Sequence, residues 1–314
     1  MHRLNRRSFV QKSLAGGVLA AALPGVSAAA GAPARRDAND PLKISIMSYA
    51  FHGLRRAGQM DVFGYLETSR YRYGLRAADI WNGFLDATDD DYIDTVKAAL
   101  AERELDLASL TVDGAHIWDD DAAARERNHT NALANLGAAR ILQPRIVRID
   151  AGAHTTADGE RDNDSWSDEA FDHIVMRYKE YAKYGHDHGF KTCIENHWGP
   201  EKKWAELKRV YEAVDHEGLG LACHLGSWDG TEEEVRQADR EAAPWVEHTH
   251  IDWNTCTGPL LEERLGNLWE VGYEGYYSVE HHTGQDEYSE VAIQLALVRR
   301  QLEKFQVDGV AMMG

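Results

Sequence analysis

Carboxylate and imidazole groups stand at the ends of four consecutive apolar runs in the second half of the chain. The four runs read Lys191-Thr-Cys-Ile-Glu195, Gly220-Leu-Ala-Cys-His224, His248-Thr-His250-Ile-Asp252 and Tyr276-Tyr-Ser-Val-Glu280. A buried carboxylate is costly unless it is paired or binds a metal. Oxygen and nitrogen donors of this kind are the ligands that a borderline divalent ion prefers. If the run ends converge, the pattern therefore predicts a divalent-metal centre.

Each of these groups also has an ordinary structural explanation. A single glutamate at the end of a strand is more often a salt-bridge partner, and a single histidine is usually a hydrogen-bonded core residue. Side chains alternate along a strand, so His281 and His282 are not both expected to face one site. The convergence of four groups, rather than any one of them, favours the metal interpretation.

Short strand-like runs alternate with longer amphipathic runs from Pro41 onward. The eight strand candidates are Lys43–Tyr49, Leu75–Trp81, Asp106–Val112, Ile146–Asp150, Phe190–Asn196, Gly218–His224, Val246–Trp253 and Tyr276–His281. The helical candidates include Tyr92–Glu102, Asp168–His188, Lys203–Val214, Glu232–Arg240 and Tyr288–Phe305, with capping residues expected at Thr88 or Asp89, Ser167 and Thr231. Regular alternation of this kind predicts parallel βαβ units.

Eight such units predict an α/β fold, a single-domain (β/α)8 TIM barrel over residues 43–314. An open doubly wound sheet is the competing fold, but no GxGxxG or GxxxxGK(S/T) sequence follows the first strand. In a barrel of this type the catalytic groups stand at the carboxyl ends of the strands. The carboxylate and imidazole groups described above lie at those ends.

The first thirty residues differ in kind from the rest of the chain. Arg6 and Arg7 stand together in a basic region, and small and apolar residues follow from Ser13 to Ala30. This arrangement resembles a twin-arginine export signal over residues 1–30, followed by a linker over residues 31–42. Export to the periplasm or the extracellular space by the twin-arginine machinery is therefore expected. A short N-terminal membrane anchor is the alternative.

The charge of the chain argues against nucleic acid as a partner. The formal net charge is -18, and it becomes -22 without residues 1–30, which contain four basic and no acidic residues. Such a surface repels phosphate backbones. No other stretch approaches about 18 apolar residues, so no stable membrane insertion is expected after signal cleavage. The cysteines, Cys193, Cys223 and Cys256, form no CxxC pair and predict neither a disulfide framework nor a metal cluster.

The chain resembles the xylose-isomerase-like TIM-barrel superfamily, the sugar-phosphate isomerase and epimerase group, from residue 43 to about 305. The resemblance is carried by Gly74-Leu-Arg-Ala-Ala-Asp79-Ile-Trp81, Glu195-Asn196-His197, the run His224-Leu-Gly226, the pair His248 and His250, and Gly272-Tyr-Glu-Gly275-Tyr-Tyr-Ser-Val-Glu280. The last of these segments is the most specific. It lies at the eighth predicted strand.

Members of that family hold one divalent metal, often manganese, with four side chains at these strand ends. The resemblance implies that Glu195, His224, His250 and Glu280 are the metal ligands. It also implies that Glu195 and Glu280 are the catalytic acid and base, which act on adjacent sugar carbons. The expected cofactor is one divalent metal, Mn2+ in the first place, with Zn2+, Co2+ or Fe2+ as alternatives.

Two features depart from the family pattern. At strand six the family usually carries an aspartate followed by a histidine, whereas this chain has His224 at the ligand position and Ser227 in place of that histidine. An imidazole in place of a carboxylate raises the net charge of the site by one and favours zinc, iron, cobalt or manganese over magnesium. The missing histidine removes the family's usual substrate contact. Since sugar-phosphate metabolism is cytoplasmic, an exported member is expected to meet a free sugar, glycoside or cyclitol.

The implied reaction is isomerisation or epimerisation by proton transfer next to a carbonyl. A metal stabilises the developing oxyanion, and carboxylates take and return the proton. Elimination or hydration of a 3-keto-glycoside shares the first step, so a lyase or hydratase is one alternative. A non-catalytic exported sugar-binding barrel is another. A metal-dependent endonuclease on the same barrel is opposed by the negative charge and the export signal.

Further residues are predicted to contact the carbohydrate. The candidates are His197, Trp253, Trp81, Tyr49, Arg148 and His116. Aromatic residues at strand ends stack on sugar faces, although they are as often core residues. Asp252 is a candidate for orienting His250, and Asp79 for tying down the barrel. The expected partners are a small-molecule carbohydrate and the export machinery, and the sequence leaves a homo-oligomer open.

Overall fold

The computed structural model describes residues 42–155 and 164–311. The predicted export signal over residues 1–30, and all but the last residue of the predicted linker, lie outside the described residues. Within the described ranges, no helix combines the length and the apolar character needed to cross a bilayer.

Eight parallel strands form the centre of the described part of the chain. They are β1 (Ile44–Ile46), β2 (Ala77–Trp81), β3 (Asp106–Val112), β4 (Ile146–Ile149), β5 (Lys191–Glu195), β6 (Leu219–His224), β7 (Val246–Ile251) and β8 (Tyr277–Val279). The strands pair in the order β1-β8-β7-β6-β5-β4-β3-β2, and a parallel bridge between Met47 and Asp79 joins β1 to β2. They therefore form a nearly closed barrel, and the predicted (β/α)8 fold is confirmed.

Helices connect successive strands around the barrel. They are α1 (His52–Arg56), α2 (Val62–Glu67), α3 (Asp90–Glu102), α4 (Ala122–Leu142), α5 (Asp168–His188), α6 (Trp204–Val214), α7 (Glu232–Ala242), α8 (Trp253–Thr257), α9 (Leu261–Glu270) and α10 (Glu287–Ala311). The predicted caps Asp89, Ser167 and Thr231 are confirmed, since their side chains accept hydrogen bonds from first-turn amides of α3, α5 and α7. The apolar signal of α4 is weak, because three of its six buried residues are alanines.

The main hydrophobic core lies between the strands and the surrounding helices. Strand residues such as Ile80, Leu110 and Ile251 are fully buried in one cluster with the helix residues Leu136 and Leu265. Complete burial of one such side chain stabilises the fold by about 1.5–3 kcal/mol. This packing fixes the strands on their outer faces, so the strand ends are held in place.

The interior of the barrel is polar toward the carboxyl ends of the strands. Ile146, Cys193 and Ala222 form a small apolar cluster of their own. The fully or almost fully buried polar side chains include Asp79, Ser109, Thr111, Arg148, His248 and Ser278. Buried polar groups need hydrogen bonds or ion pairs. This end of the barrel is therefore organised by polar contacts rather than by apolar packing.

Candidate active site

The four predicted metal ligands meet at the carboxyl ends of β5 to β8. Glu195 and His224 are the last residues of β5 and β6, His250 lies one residue before the end of β7, and Glu280 follows β8 directly. All four are almost fully buried, with exposed fractions between 1% and 6%. Neighbouring strands of a barrel end at the same rim, so the four side chains converge.

The spacing of these side chains fits a metal. His224 Nδ1 lies 4.0 Å from Glu195 Oε1 and 3.8 Å from Glu280 Oε2, and His250 Nδ1 lies 2.6 Å from Glu195 Oε1. Donors around one tetrahedral ion lie roughly 3.4 Å apart when each bond is about 2.1 Å long. Two separations are thus near those of a metal site, and the third is a hydrogen bond.

A buried polar atom without a partner supports the same fit. Oε2 of Glu280, which lies 3.8 Å from His224 Nδ1, is buried and makes no hydrogen bond within the described ranges. Such atoms cost free energy when they are removed from water and left unbonded. Coordination of an ion would satisfy donors of these types. Donors of these types fit a divalent metal, and the groups whose donor atoms all lie within 4.8 Å of one another are Asp79 with His248 and His250, and Asp150 with Glu195 and His197.

Arg148 is the buried cation of this site. Its Nε lies 2.9 Å from Glu195 Oε2, and its Nη1 donates to Asp150 at 2.7 Å and to Asp113 at 3.1 Å. Burial acts to raise the pKa of Glu195, but the positive charges of His250 and Arg148 hold that pKa well below its usual range. The guanidinium that the sequence predicts as a substrate contact is thus paired with three carboxylates.

His282 is a site residue that sequence reasoning missed. Its Nε2 lies 3.1 Å from Glu280 Oε1, its ring lies 5.9 Å from that of His224, and its side chain is 46% exposed. His281 is instead fully buried and paired with Glu290, so the two histidines face different places, as strand alternation predicts. Burial acts to raise the pKa of Glu280, but the hydrogen bond from His282 and the nearby histidines lower it to about 2. The shared parity of residues 280 and 282 is the signal that could have found His282.

Asp150 connects three of the predicted substrate contacts and was also missed. Besides its bond to Arg148, its Oδ2 lies 3.1 Å from His197 Nδ1 and 3.8 Å from His116 Nδ1. Burial acts to lower the pKa of His197, but the charges of Asp150 and Glu195 raise it. Asp150 ends the predicted fourth strand, so its position at a strand end was the available signal.

Two of the three predicted aromatic contacts lie together beside His282. The ring centroid of Tyr49 is 5.0 Å from that of Trp81 and 5.8 Å from that of His282. Trp253 instead begins α8 and packs its ring 6.3 Å from that of His281. The structure thus brings Tyr49 and Trp81 together as an aromatic wall and places Trp253 elsewhere.

Comparison with protein families gives a match over most of the chain. The xylose isomerase-like TIM barrel family matches residues 71–304. The chain belongs to this family. The superfamily predicted from the sequence is therefore confirmed. A comparison with curated protein sequences gave no significant match.

Solved structures with the xylose isomerase-like fold superpose on this chain over most of their length. 3-Keto-D-glucoside 4-epimerase from E. coli, in its apo form, gives a TM-score of 0.67 at 17% identity and covers 83% of this chain and 100% of its own. D-Allulose 3-epimerase from Methylomonas sp. gives 0.65 at 15% identity, with 83% and 98% covered. A xylose isomerase-like TIM barrel protein from Mycobacterium smegmatis, in complex with magnesium, gives 0.61 at 16% identity, with 84% and 99% covered. At these identities the likeness shows a shared fold.

Two buried amides fix the ligand-bearing strands of this xylose isomerase-like barrel. Asn196 donates from Nδ2 to the carbonyl of His224 at 2.9 Å and accepts from the His224 amide at 2.7 Å. Gln294 of α10 donates to the carbonyls of Glu280 at 2.8 Å and Ile251 at 3.3 Å. The first amide joins the ends of β5 and β6, and the second joins β7 and β8. Both hold backbone groups of predicted ligands, and the side chains of His224 and Glu280 take no part in these bonds.

Asp252 does not orient His250, so that interpretation is wrong. The chain turns into α8 directly after β7, and Asp252 caps this helix by accepting a hydrogen bond from the Thr255 amide at 2.7 Å. The carboxylate that faces Nε2 of His250 belongs to Asp79 of β2, at 3.4 Å. A contact between the second and seventh strands has no signal in local sequence.

Proposed function

We propose that this protein is a divalent-metal-dependent isomerase or epimerase that transfers a proton next to a carbonyl of a carbohydrate. The observation that carries the proposal is the convergence of two glutamates and two histidines, Glu195, Glu280, His224 and His250, at the mouth of a xylose isomerase-like barrel. Two structures with this fold are sugar epimerases, which supports the reaction class.

The same four side chains would hold the metal. When bound, a divalent ion supplies Lewis acidity beside the substrate carbonyl. Two carboxylates and two imidazoles suit Mn2+, which we propose as the cofactor, and Zn2+, Co2+ or Fe2+ match the same donors. One structure with this fold was solved with magnesium, which supports a divalent ion in barrels of this type.

We assign the proton transfer to Glu280 and Glu195. Glu280 Oε2 has no hydrogen-bond partner in the described part of the chain, while Oε1 is oriented by His282 at 3.1 Å. Glu195 is oriented by His250 and by Arg148, at 2.6 Å and 2.9 Å. One carboxylate, ionised, takes the proton next to the carbonyl. The other returns a proton to the substrate from its protonated form, which it reaches by taking a proton from a substrate hydroxyl or from solvent.

An uncharged carbohydrate fits the surroundings of this site. Tyr49 and Trp81 provide ring faces on which a sugar ring would stack. His197 lies close to Glu195 and is 23% exposed, so it is placed to contact a hydroxyl. The buried cation, Arg148, is already paired with carboxylates and is not placed for a phosphate. We therefore propose a free sugar, a glycoside or a cyclitol as the substrate.

We further propose that the protein is exported by the twin-arginine route and acts outside the cytoplasm. The support is the paired Arg6 and Arg7 and the small, apolar stretch that follows them. Radiolabel or antibody detection of the protein in periplasmic and cytoplasmic fractions checks this location. Detection of the wild type only in the cytoplasm would contradict export. An unchanged distribution after Arg6 and Arg7 are both replaced by lysine would contradict the twin-arginine route.

Metal content is the first measurement. Purified wild type is expected to carry about one divalent ion per chain by elemental mass spectrometry, and His224→Ala and Glu280→Ala are expected to lose it. The matched controls are His186→Ala in α5 and Glu270→Ala in α9, which remove an exposed histidine and an exposed glutamate on helices rather than at strand ends. Controls that lose the metal, or a wild type without metal after reconstitution, would contradict the proposal.

Turnover in D2O separates the reaction classes. The metal-loaded protein is incubated with free sugars and 3-keto-glycosides, and deuterium next to the carbonyl is followed by NMR. An epimer or an aldose–ketose pair that carries deuterium supports the proposal. An unsaturated product would instead show the lyase. Sugar binding without deuterium incorporation would show a non-catalytic binding barrel.

A further inference from the structure

Asp79 of β2 lies in the barrel interior and contacts residues of β7 and β8. Its side chain is fully buried. Oδ2 lies 2.7 Å from His248 Nε2, accepts from Ser278 Oγ at 2.8 Å and lies 3.4 Å from His250 Nε2. One carboxylate oxygen thus contacts β7 and β8, directly behind the four converging ligands.

We infer that Asp79 is a positioning residue that turns Nδ1 of His250 toward the metal centre. The inference rests on the proposed function, because it concerns the metal. The His250 ring lies between two carboxylates, with Nδ1 2.6 Å from Glu195 Oε1 and Nε2 3.4 Å from Asp79 Oδ2. Nδ1 donates to the Glu195 carboxylate, so this nitrogen lies on the side where the four side chains converge. Asp79 lies at the opposite nitrogen, Nε2, and so holds the ring with Nδ1 toward that side, where an ion would take the place of the Nδ1 proton.

The backbone around Asp79 is built to aim this side chain. The register of β2 against β3 shifts between Ala78 and Asp79, and such irregularities redirect side chains near active sites. Tyr65 fixes the backbone, since its hydroxyl accepts from the Asp79 amide at 2.8 Å and lies 3.0 Å from the Asp79 carbonyl. The register of β6 against β7 also shifts, just before His248. Both strands of the contact thus depart from regular pairing where it occurs.

A second metal ion among Asp79, His248 and His250 is the competing interpretation, because their donor atoms lie close together. The distances favour hydrogen bonds. Asp79 Oδ2 lies 2.7 Å from His248 Nε2 and accepts from Ser278 Oγ at 2.8 Å, so this oxygen is already occupied by two hydrogen bonds. Asp79, with its contacts His248 and Ser278, therefore lies outside the ligands of the proposed metal centre. A carboxylate commonly supports a metal-binding histidine from such a position.

The test compares metal affinity in the full-length protein. Asp79→Asn keeps the shape of the side chain and removes its charge, and it is expected to weaken Mn2+ binding by about 10–100-fold in competition with a chelator. The matched control is Ser278→Ala, which removes another contact of Asp79 and leaves the His250 contact intact. It is expected to bind Mn2+ within about threefold of wild type. Thermal unfolding of each apo protein checks that the variants are folded.

A measurement on the wild type alone guards against a variant that does not fold. In the diamagnetic Zn2+ form, 15N-labelled histidine is expected to show His250 ligated through Nδ1 with its proton on Nε2. Ligation through Nε2, or equal Mn2+ affinity of Asp79→Asn and wild type, would overturn the inference and leave the proposed function standing. Two ions per chain, one of them lost in Asp79→Asn, would establish the interior metal site instead. A wild type that binds no ion would overturn both.

Discussion

At the scale of single residues, the site pairs buried carboxylates with a buried guanidinium. Glu195 and Asp150 are almost fully buried, and Arg148 supplies the fixed positive charge between them. His224 stands where the family implies an aspartate, so the ligand set carries one negative charge fewer. Arg148 is already paired with three carboxylates, so it offers no free positive charge to a phosphate.

Replacement of Arg148 by methionine is expected to destabilise the protein by about 3–5 kcal/mol, because it leaves buried carboxylates without their cation. Urea unfolding measures the change. The matched control is Arg236→Met, which breaks a bidentate but partly exposed pair with Glu263 and is expected to cost about 0–1 kcal/mol. Equal stability of the two variants would show that Arg148 does not hold the buried acids together.

The four proposed ligand positions could be named from sequence because each lies at or next to the end of its own strand. His282 and Asp150 were missed, and Asp79 was predicted only to tie down the barrel, because their roles depend on pairs of strands. The contact between Asp79 and His248, for example, joins residues 169 positions apart. Local pattern gives the rim of the barrel on which a residue lies. It does not give the partner across the barrel, which is set by register and by the two strand irregularities.

At the scale of elements, side-chain amides set the relative positions of the strands that carry the proposed ligands. Asn196 continues β5 beyond its last strand residue and binds both backbone groups of His224. Alternation of strands and helices predicts that β5 and β6 end at one rim, but it leaves their relative height open. A reciprocal pair of hydrogen bonds sets that height, so the geometry of the ligands is a property of neighbouring elements rather than of either strand.

Asn196→Ala is therefore expected to affect both stability and metal binding. Loss of the amide leaves two buried backbone groups without a partner, which costs about 1–3 kcal/mol for each unsatisfied group. His224 is then less well placed, and Mn2+ affinity is expected to fall as well. Urea unfolding of the apo protein and a chelator competition measure the two effects. Asn254→Ala, in α8 and exposed, is the control, and a variant of Asn196 with wild-type metal affinity would refute the positioning role.

The N-terminus of α7 offers a pH-dependent test that lies outside the site. Glu234 accepts from the amide and hydroxyl of Thr231, and these two bonds hold the pKa of Glu234 below its ordinary value of 4.5. A lowered carboxyl pKa stabilises the fold above pH 4.5, and this contribution is lost as the pH falls through the folded-state pKa. Wild type should thus have a higher Tm than Glu234→Ala at pH 7, with the gap closing at lower pH. A gap that widens on acidification would refute the assignment.

At the scale of the whole molecule, the two halves of the barrel contribute different kinds of residue to the candidate site. The four proposed ligands lie on β5 to β8, while Tyr49, Trp81, Arg148 and Asp79 come from the first half. The first half thus supplies the aromatic wall and the charges that orient the ligands. The fold of both halves was predictable from eight alternating units. Which half carries the proposed ligands and which half orients them was not predictable, because this depends on which strands face each other across the barrel.

Metal binding is expected to stabilise the two halves unequally. An ion that binds only the folded state stabilises it by about 2.7 kcal/mol at a concentration of 100 times Kd. Because its ligands lie on β5 to β8, hydrogen exchange should slow most at the carboxyl ends of these strands on addition of Mn2+, and less in β2 to β4. Mass spectrometry of exchanged peptides, with and without a chelator, measures this difference. His186→Ala should respond as wild type does and His224→Ala should not respond. A uniform slowing over all strands would mean that the ion does not bind where the four side chains converge.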